Sequence, residues 1–204
     1  MVLKTQDIPL ITSITAFLFG LLLVIRHLLF FGFAPFVPHR PEVIEKILKE
    51  INPASGTVFF SLGCGRSGFL ELARKKCPDG TFIGVEEGAI SSCISRLQTC
   101  LKGMRDIKVV HSDYYKTDLH RANAVYCYLN PEELRDLYKK LKLEPRTDAI
   151  IVSVGFAIPY LDPIKIMKTE QKKKWYGFLI SHKKVLTIKE KEHIRDDNVY
   201  FYQV

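Results

Sequence analysis

Gly63, Gly65 and Gly68 follow an apolar run over 58–62, a helix-forming run comes next, and the following apolar run closes on Glu86 and Glu87. Glycines at that spacing let backbone approach a ligand, and a carboxylate about 20 residues on can accept from ribose hydroxyls. A further apolar run, 107–110, leads to Ser112 and Asp113. If these runs are neighbouring strands, the glycine loop, Glu86 and the Ser112–Asp113 pair line one edge of a sheet. An adenosine-bearing cofactor could span that edge: loop backbone would face its tail, Glu86 the ribose, and Asp113 the adenine amino group. On the glycines and Glu86 alone, a nicotinamide-dependent reductase stays open, as does a loop that serves only as a tight turn.

Other chemistries find little support. There is no Ser-His-Asp arrangement, His-Glu-x-x-His helix or Walker loop, and His39, His111, His120, His182 and His193 are scattered, so no catalytic base is assigned. Of these, His111 adjoins Asp113 on the expected cofactor edge. Cys64, Cys77, Cys93, Cys100 and Cys127 are odd in number and form neither a CxxC pair nor zinc-ligand spacing. They read as small apolar fillers in a reducing compartment, with no metal site. The net charge of +8 is concentrated over 165–191 without regular aromatic interleaving, so no nucleic-acid partner is expected. A basic face toward anionic headgroups and a merely solvated surface are the two readings of it.

The elements that must hold the edge follow from apolar spacing. Val43, Ile44, Ile47, Leu48 and Ile51 predict an amphipathic helix before the first strand. Helices are expected over 69–76, 89–101 and 132–141, and strands over 58–62, 81–85, 107–110, 124–129 and 149–154. Ile90, Ile94, Leu97 and Leu101 fall on one face of the second of these helices and should meet the core. The alternation implies an α/β, doubly wound parallel sheet with ligands at the carboxyl ends of its strands. VLTIKE, 185–190, and NVYFYQV, 198–204, read as a closing antiparallel pair.

Before this domain, 42–204, lie a hydrophobic segment, 1–34, and a proline-rich linker, 35–41. Residues 8–25 carry no charge, and a helix over them would be about 27 Å long, close to the hydrocarbon thickness of a bilayer. One N-terminal transmembrane helix is expected, with Arg26 and His27 interrupting the apolar run before an interfacial LLFFGFAPF. Positive charge follows the segment at Arg26, Arg40, Lys46 and Lys49, which places the domain on the cytoplasmic side of the membrane. A cleaved signal peptide fits less well, because the start has only Lys4 against Asp7 and no small-residue cleavage pattern. A buried or partner-binding hydrophobic helix is the remaining alternative.

SLGCGRSG (61–68), GVEE (84–87), HSD (111–113) and the closing strands resemble the seven-stranded, Rossmann-like methyltransferases that use S-adenosylmethionine. The order of anchor, PFVPHRPEVIEKIL, domain, DYYKTDLHRANAVYCYLNPEELRDLYKKL and IIVSVGFAIPYLDP is similar to the membrane-tethered protein-lysine methyltransferases of the mitochondrial adenine nucleotide translocase and the c-ring protein of ATP synthase, and their prokaryotic relatives. The resemblance implies cofactor binding by Ser61, Gly63, Cys64, Gly65, Glu86, Ser112 and Asp113. Ser61 stands where the class usually has Asp or Glu, and Ser67 where it usually has a third glycine. It also implies a lysine acceptor on a membrane protein, with Tyr128, Asn130 and Phe156 toward it. Tyr126, Tyr128, Phe156 and Tyr160 are the aromatic candidates for an acceptor channel, and Asn130-Pro131 half-matches an Asn-Pro-Pro-Tyr signature. Methylation of a lipid or quinone, and a non-catalytic membrane adaptor that binds cofactor weakly or not at all, are the alternatives.

Overall fold

The computed structural model of the chain describes residues 8–31, 41–65, 67–143, 148–169 and 198–204. Two compact units are present, one containing the first helix and the other everything from the second helix onward. In the first unit, α1 (Ile8–Phe31) is a continuous helix of 24 residues that runs through Arg26 and His27. Over 12–23, where its side chains are described, apolar residues are exposed: Phe17 is 71% exposed, Leu18 56%, Phe19 62% and Leu22 60%. Among the described residues no helix is long and apolar enough to cross a membrane, which leaves the expected transmembrane helix unsupported. The predicted linker and the predicted strand at 185–190 lie outside the described residues, apart from Pro41.

Pro41 opens α2 (Pro41–Ile51), where its missing N–H costs nothing, and Ile44, Ile47, Leu48 and Ile51 form the buried face predicted from their spacing. The remaining elements are β1 (Val58–Leu62), α3 (Gly68–Lys76), β2 (Thr81–Glu86), α4 (Ala89–Leu101), β3 (Ile107–His111), β4 (Ala124–Cys127), α5 (Pro131–Leu143), β5 (Ile150–Val154), β6 (Lys165–Lys168) and β7 (Asn198–Gln203). They build one seven-stranded sheet in the order β3-β2-β1-β4-β5-β7-β6. The β1–β2, β1–β4, β2–β3 and β4–β5 pairs are parallel, whereas β7 runs antiparallel to both β5 and β6. Within the described residues the partner of β7 in the closing pair is therefore KIMK. A lysine at each end of β6 and its outer position suit an edge strand that must resist further pairing, and they hide it from a search for apolar alternation.

Alternation along the strands divides the core. Phe59 and Phe82 stack with ring centroids 5.5 Å apart, in a cluster with Ile47 and Leu48 of α2 and Leu70 of α3. Phe60, Leu62 and Val85 belong to a second cluster with Leu134 and Leu137 of α5 and Tyr202 of β7. Helix α4 departs from the prediction. Ser92, Ser95, Gln98 and Thr99 are its buried residues, while Ile90 is 78%, Leu97 41% and Leu101 57% exposed. Its polar face points into the protein.

These burials set a contrast in stability. Phe59→Ala empties a fully buried ring site and is expected to cost about 3–5 kcal/mol. Ile90→Ala should change stability by no more than about 0.5 kcal/mol. Denaturant unfolding of the two variants beside the parent checks this; a comparable loss for Ile90→Ala would contradict the outward orientation of α4.

Candidate active site

Strand β1 has β2 on one side and β4 on the other, so the winding direction reverses there and a crevice opens at the carboxyl ends of the strands. The glycine loop occupies that point. Gly63 has a φ of 69°, and a Cβ added to it would lie 2.8 Å from Tyr128 O at the end of β4, so only glycine fits. Gly63 N and Cys64 N donate to Val85 O at 3.0 and 3.1 Å, folding the loop against β2. Gly84 makes room for this, since a Cβ there would meet Cys64 Sγ at 2.8 Å.

The peptide groups of Gly65 are held from both directions. Its N–H donates to Glu86 Oε2 at 3.0 Å, and its carbonyl accepts from the Ser95 hydroxyl of α4. The buried polar face of α4 therefore supports the loop, and Ser95 is a site residue that motif reading missed. A stripe of Ser92, Ser95 and Thr99 at helical spacing was its signal. Ser67, where the class usually has glycine, takes a left-handed φ of 57°; it is fully buried, and its hydroxyl has no partner and does not cap α3.

Glu86 ends β2 with 8% exposure. One carboxylate oxygen accepts from Gly65, and a carboxylate retains further acceptor capacity for vicinal hydroxyls. Burial, with the charge of Glu86 second, pushes the Cys64 thiol up to about 12, so it stays protonated near neutral pH and is no nucleophile. Ser112 N donates to Glu86 O at 3.2 Å, tying the end of β3 to that of β2. His111 Nε2 lies 2.9 Å from Glu87 O. Asp113 Oδ1 accepts from Tyr115 N at 2.8 Å, and Asp113 lines a cavity of about 460 Å³ with Glu87, Tyr114, Glu133, Asp136 and Lys139. Burial first and Glu86 second push the Tyr114 phenol upward, keeping it neutral.

Along one edge, then, Gly65 meets Glu86 directly, Gly63 and Cys64 bond to Val85 beside it, and Ser112 bonds to the Glu86 carbonyl with Asp113 following it in the chain. Ser61 instead sits inside β1, opposite Gly84 and Tyr126, and is 1% exposed. An adenosine-bearing group suits these residues, because the loop excludes side-chain bulk at Gly63 and a buried carboxylate stands against its backbone.

The acceptor candidates separate. Tyr126 is core, stacked on Phe69 with centroids 4.3 Å apart, which removes it from the expected channel. Tyr128 and Phe156 are half-buried at the ends of β4 and β5. The loop of Phe156 is pinned, with Ser153 Oγ donating to Phe156 O at 2.7 Å and Tyr202 accepting from Ile158 N at 2.8 Å. Asn130 serves α5: its Oδ1 accepts from Glu133 N at 2.9 Å while Glu133 Oε2 accepts from Asn130 N at 2.7 Å. This reciprocal capping box accounts for N-P-E-E and occupies the side-chain oxygen expected to face the acceptor. Tyr160 is 80% exposed and packs against Tyr138 with ring centroids 5.6 Å apart.

A family model for the ANTKMT methyltransferase domain matches residues 61–165. The ribosomal RNA small subunit methyltransferase H of Mycoplasma mobile is 26% identical over 124 residues, 61% of this chain and 35% of that protein. A protein-lysine N-methyltransferase of Saccharolobus islandicus is 23% identical over 139 residues, 67% of this chain and 85% of that one. A human lysine N-methyltransferase, named for the c-ring protein of ATP synthase, is 27% identical over 130 residues, 63% of this chain and 54% of that one. This chain therefore spans about a third of the first relative and about half of the third. Among solved structures, an RNA methyltransferase of Salinibacter ruber in complex with S-adenosyl-L-homocysteine shares the fold, with a TM-score of 0.61 at 18% identity over 82% of this chain and 94% of that one.

The loop geometry sets opposite outcomes for two substitutions. Ser67→Gly removes a left-handed non-glycine residue and an unpartnered hydroxyl, and should stabilise the protein by about 1 kcal/mol. Gly63→Ala must move the β4 end and should destabilise it by at least about 1 kcal/mol. Thermal unfolding of both variants checks the signs.

Proposed function

Because the chain belongs to the family of the ANTKMT methyltransferase domain, we propose that it is an S-adenosylmethionine-dependent methyltransferase acting on a lysine amine of a membrane protein. The observation that carries the cofactor half is the contact of Gly65 N with buried Glu86, in line with Asp113 along one sheet edge. The names of the Saccharolobus and human relatives support lysine as acceptor. The Mycoplasma relative raises RNA instead, but around the cavity the carboxylates Glu87, Asp113, Glu133 and Asp136 outnumber the single cation, Lys139, which pairs with Asp136, and this disfavours phosphate.

In this reading the loop backbone of Gly63 to Gly65 holds the cofactor's tail, Glu86 accepts from its ribose, and Asp113 orients its adenine. The bound cofactor supplies an electrophilic methyl group, and the protein's main task is alignment. Presenting a lysine as the neutral amine near pH 7 costs about 4.6 kcal/mol from its free pKa of about 10.4. The half-buried rings of Tyr128 and Phe156 offer the amine a less polar setting in which it loses its proton.

The membrane half of the proposal rests on α1. The described side chains of α1, over 12–23, are largely apolar and exposed, and a lipid bilayer provides the cover they require. The basic residues after α1 favour the cytoplasmic face.

Calorimetric titration with S-adenosylhomocysteine is expected to give micromolar binding, weakened at least about tenfold by Glu86→Ala, the loss of a charge-assisted hydrogen bond. No binding by the parent chain would support the adaptor reading. Incubation of membranes with methyl-labelled S-adenosylmethionine should then label a protein band; label confined to the organic extract would point to a lipid or quinone acceptor.

A further inference from the structure

The outward face of α4 has no role in the site, although its inward face holds the glycine loop. Ile90, Cys93, Leu97, Cys100 and Leu101 form an exposed apolar stripe along the helix. Residues 89–108 carry the cations Arg96, Lys102, Arg105 and Lys108 against one acid, Asp106. Arg74 pairs with Asp106 and Lys102 with Glu71, which leaves Arg96, Arg105 and Lys108 as the cations around the stripe without an acid from that stretch. Arg96 is fixed beside it, its Nε donating to Val109 O at 3.0 Å. An exposed apolar stripe with a cationic rim is the pattern of a helix that lies in the headgroup region of an anionic bilayer.

We propose that α4 is a membrane-docking helix, seating the catalytic unit on an anionic lipid surface through Ile90, Leu97 and Leu101. This rests on the membrane association proposed above and adds a second, independent contact to it. A second copy of the chain is a poorer occupant. A thirteen-residue helix face is about 20 Å long and about 10 Å wide, far less than the roughly 800 Å² per partner of a stable interface, and two basic rims would repel. Since Ser95 reaches from the same helix to Gly65, docking would set the cofactor loop about one helix diameter, roughly 10 Å, from the lipid surface.

Native cysteines provide the probe. Cys93 and Cys100 are exposed on the docking face, whereas Cys64, Cys77 and Cys127 are buried. The full chain, bound to preformed vesicles of phosphatidylcholine with phosphatidylserine and recovered by flotation, is treated with a membrane-impermeant maleimide and each thiol is quantified by mass spectrometry. Labelling of Cys93 and Cys100 is expected to slow roughly tenfold relative to detergent-free chain without vesicles. The triple variant Ile90→Ser, Leu97→Ser, Leu101→Ser should still float through α1 but lose that protection. Flotation of the parent chain with Cys93 and Cys100 unprotected would overturn the docking of α4 while leaving membrane association standing. Failure to float would overturn both. Protection without lipid that grows with protein concentration would assign the face to a second copy, and equal protection in the triple variant would likewise overturn the proposal.

Discussion

The buried carboxylate of Glu86 at the backbone of Gly65 is the constraint around which the site is built. A carboxylate removed from water must find donors, and here the donor is the loop that a cofactor would have to meet. The loop reaches it only because Gly63 fits under Tyr128 O and Gly84 yields space to Cys64. Strand β2 thus fixes the loop through Val85 O, Glu86 Oε2 and the absent side chain of Gly84 together.

That arrangement dictates the orientation of α4. The Gly65 carbonyl, turned away from Glu86, needs a donor of its own, and Ser95 supplies it. A helix that packs hydroxyls and an amide toward the loop must put its leucines and isoleucine elsewhere. The outward apolar face is therefore a consequence of how the site is supported, and it presents a surface that water covers poorly.

The order of strands and helices and the meeting of Gly63, Gly65, Glu86 and Asp113 were legible in the sequence, because strand ends and glycine spacing are local signals. The orientation of α4 was not, since periodicity identifies an apolar face without saying which side the tertiary structure will bury. The role of Asn130 was hidden by a rival motif, although Glu133 three residues on carried the capping signal. Edge strand β6 escaped notice because half of its residues are lysines. Segment α1 was legible as a hydrophobic helix from its uncharged run over 8–25.

The two departures from the methyltransferase pattern have different physical consequences. Ser67 is a local burden, with a left-handed backbone and an unpartnered hydroxyl. Ser61 relieves one. It lies opposite Gly84, two register positions before Glu86 on the neighbouring strand, and is almost wholly buried. An acid at that place would bring a second buried carboxylate close to Glu86, where desolvation and like charge both oppose ionisation. With serine there, the bond of Gly65 N to Glu86 stands without a second carboxylate on the facing strand position. The acid that holds the loop is thus Glu86 of β2, with no acid at the facing position of β1.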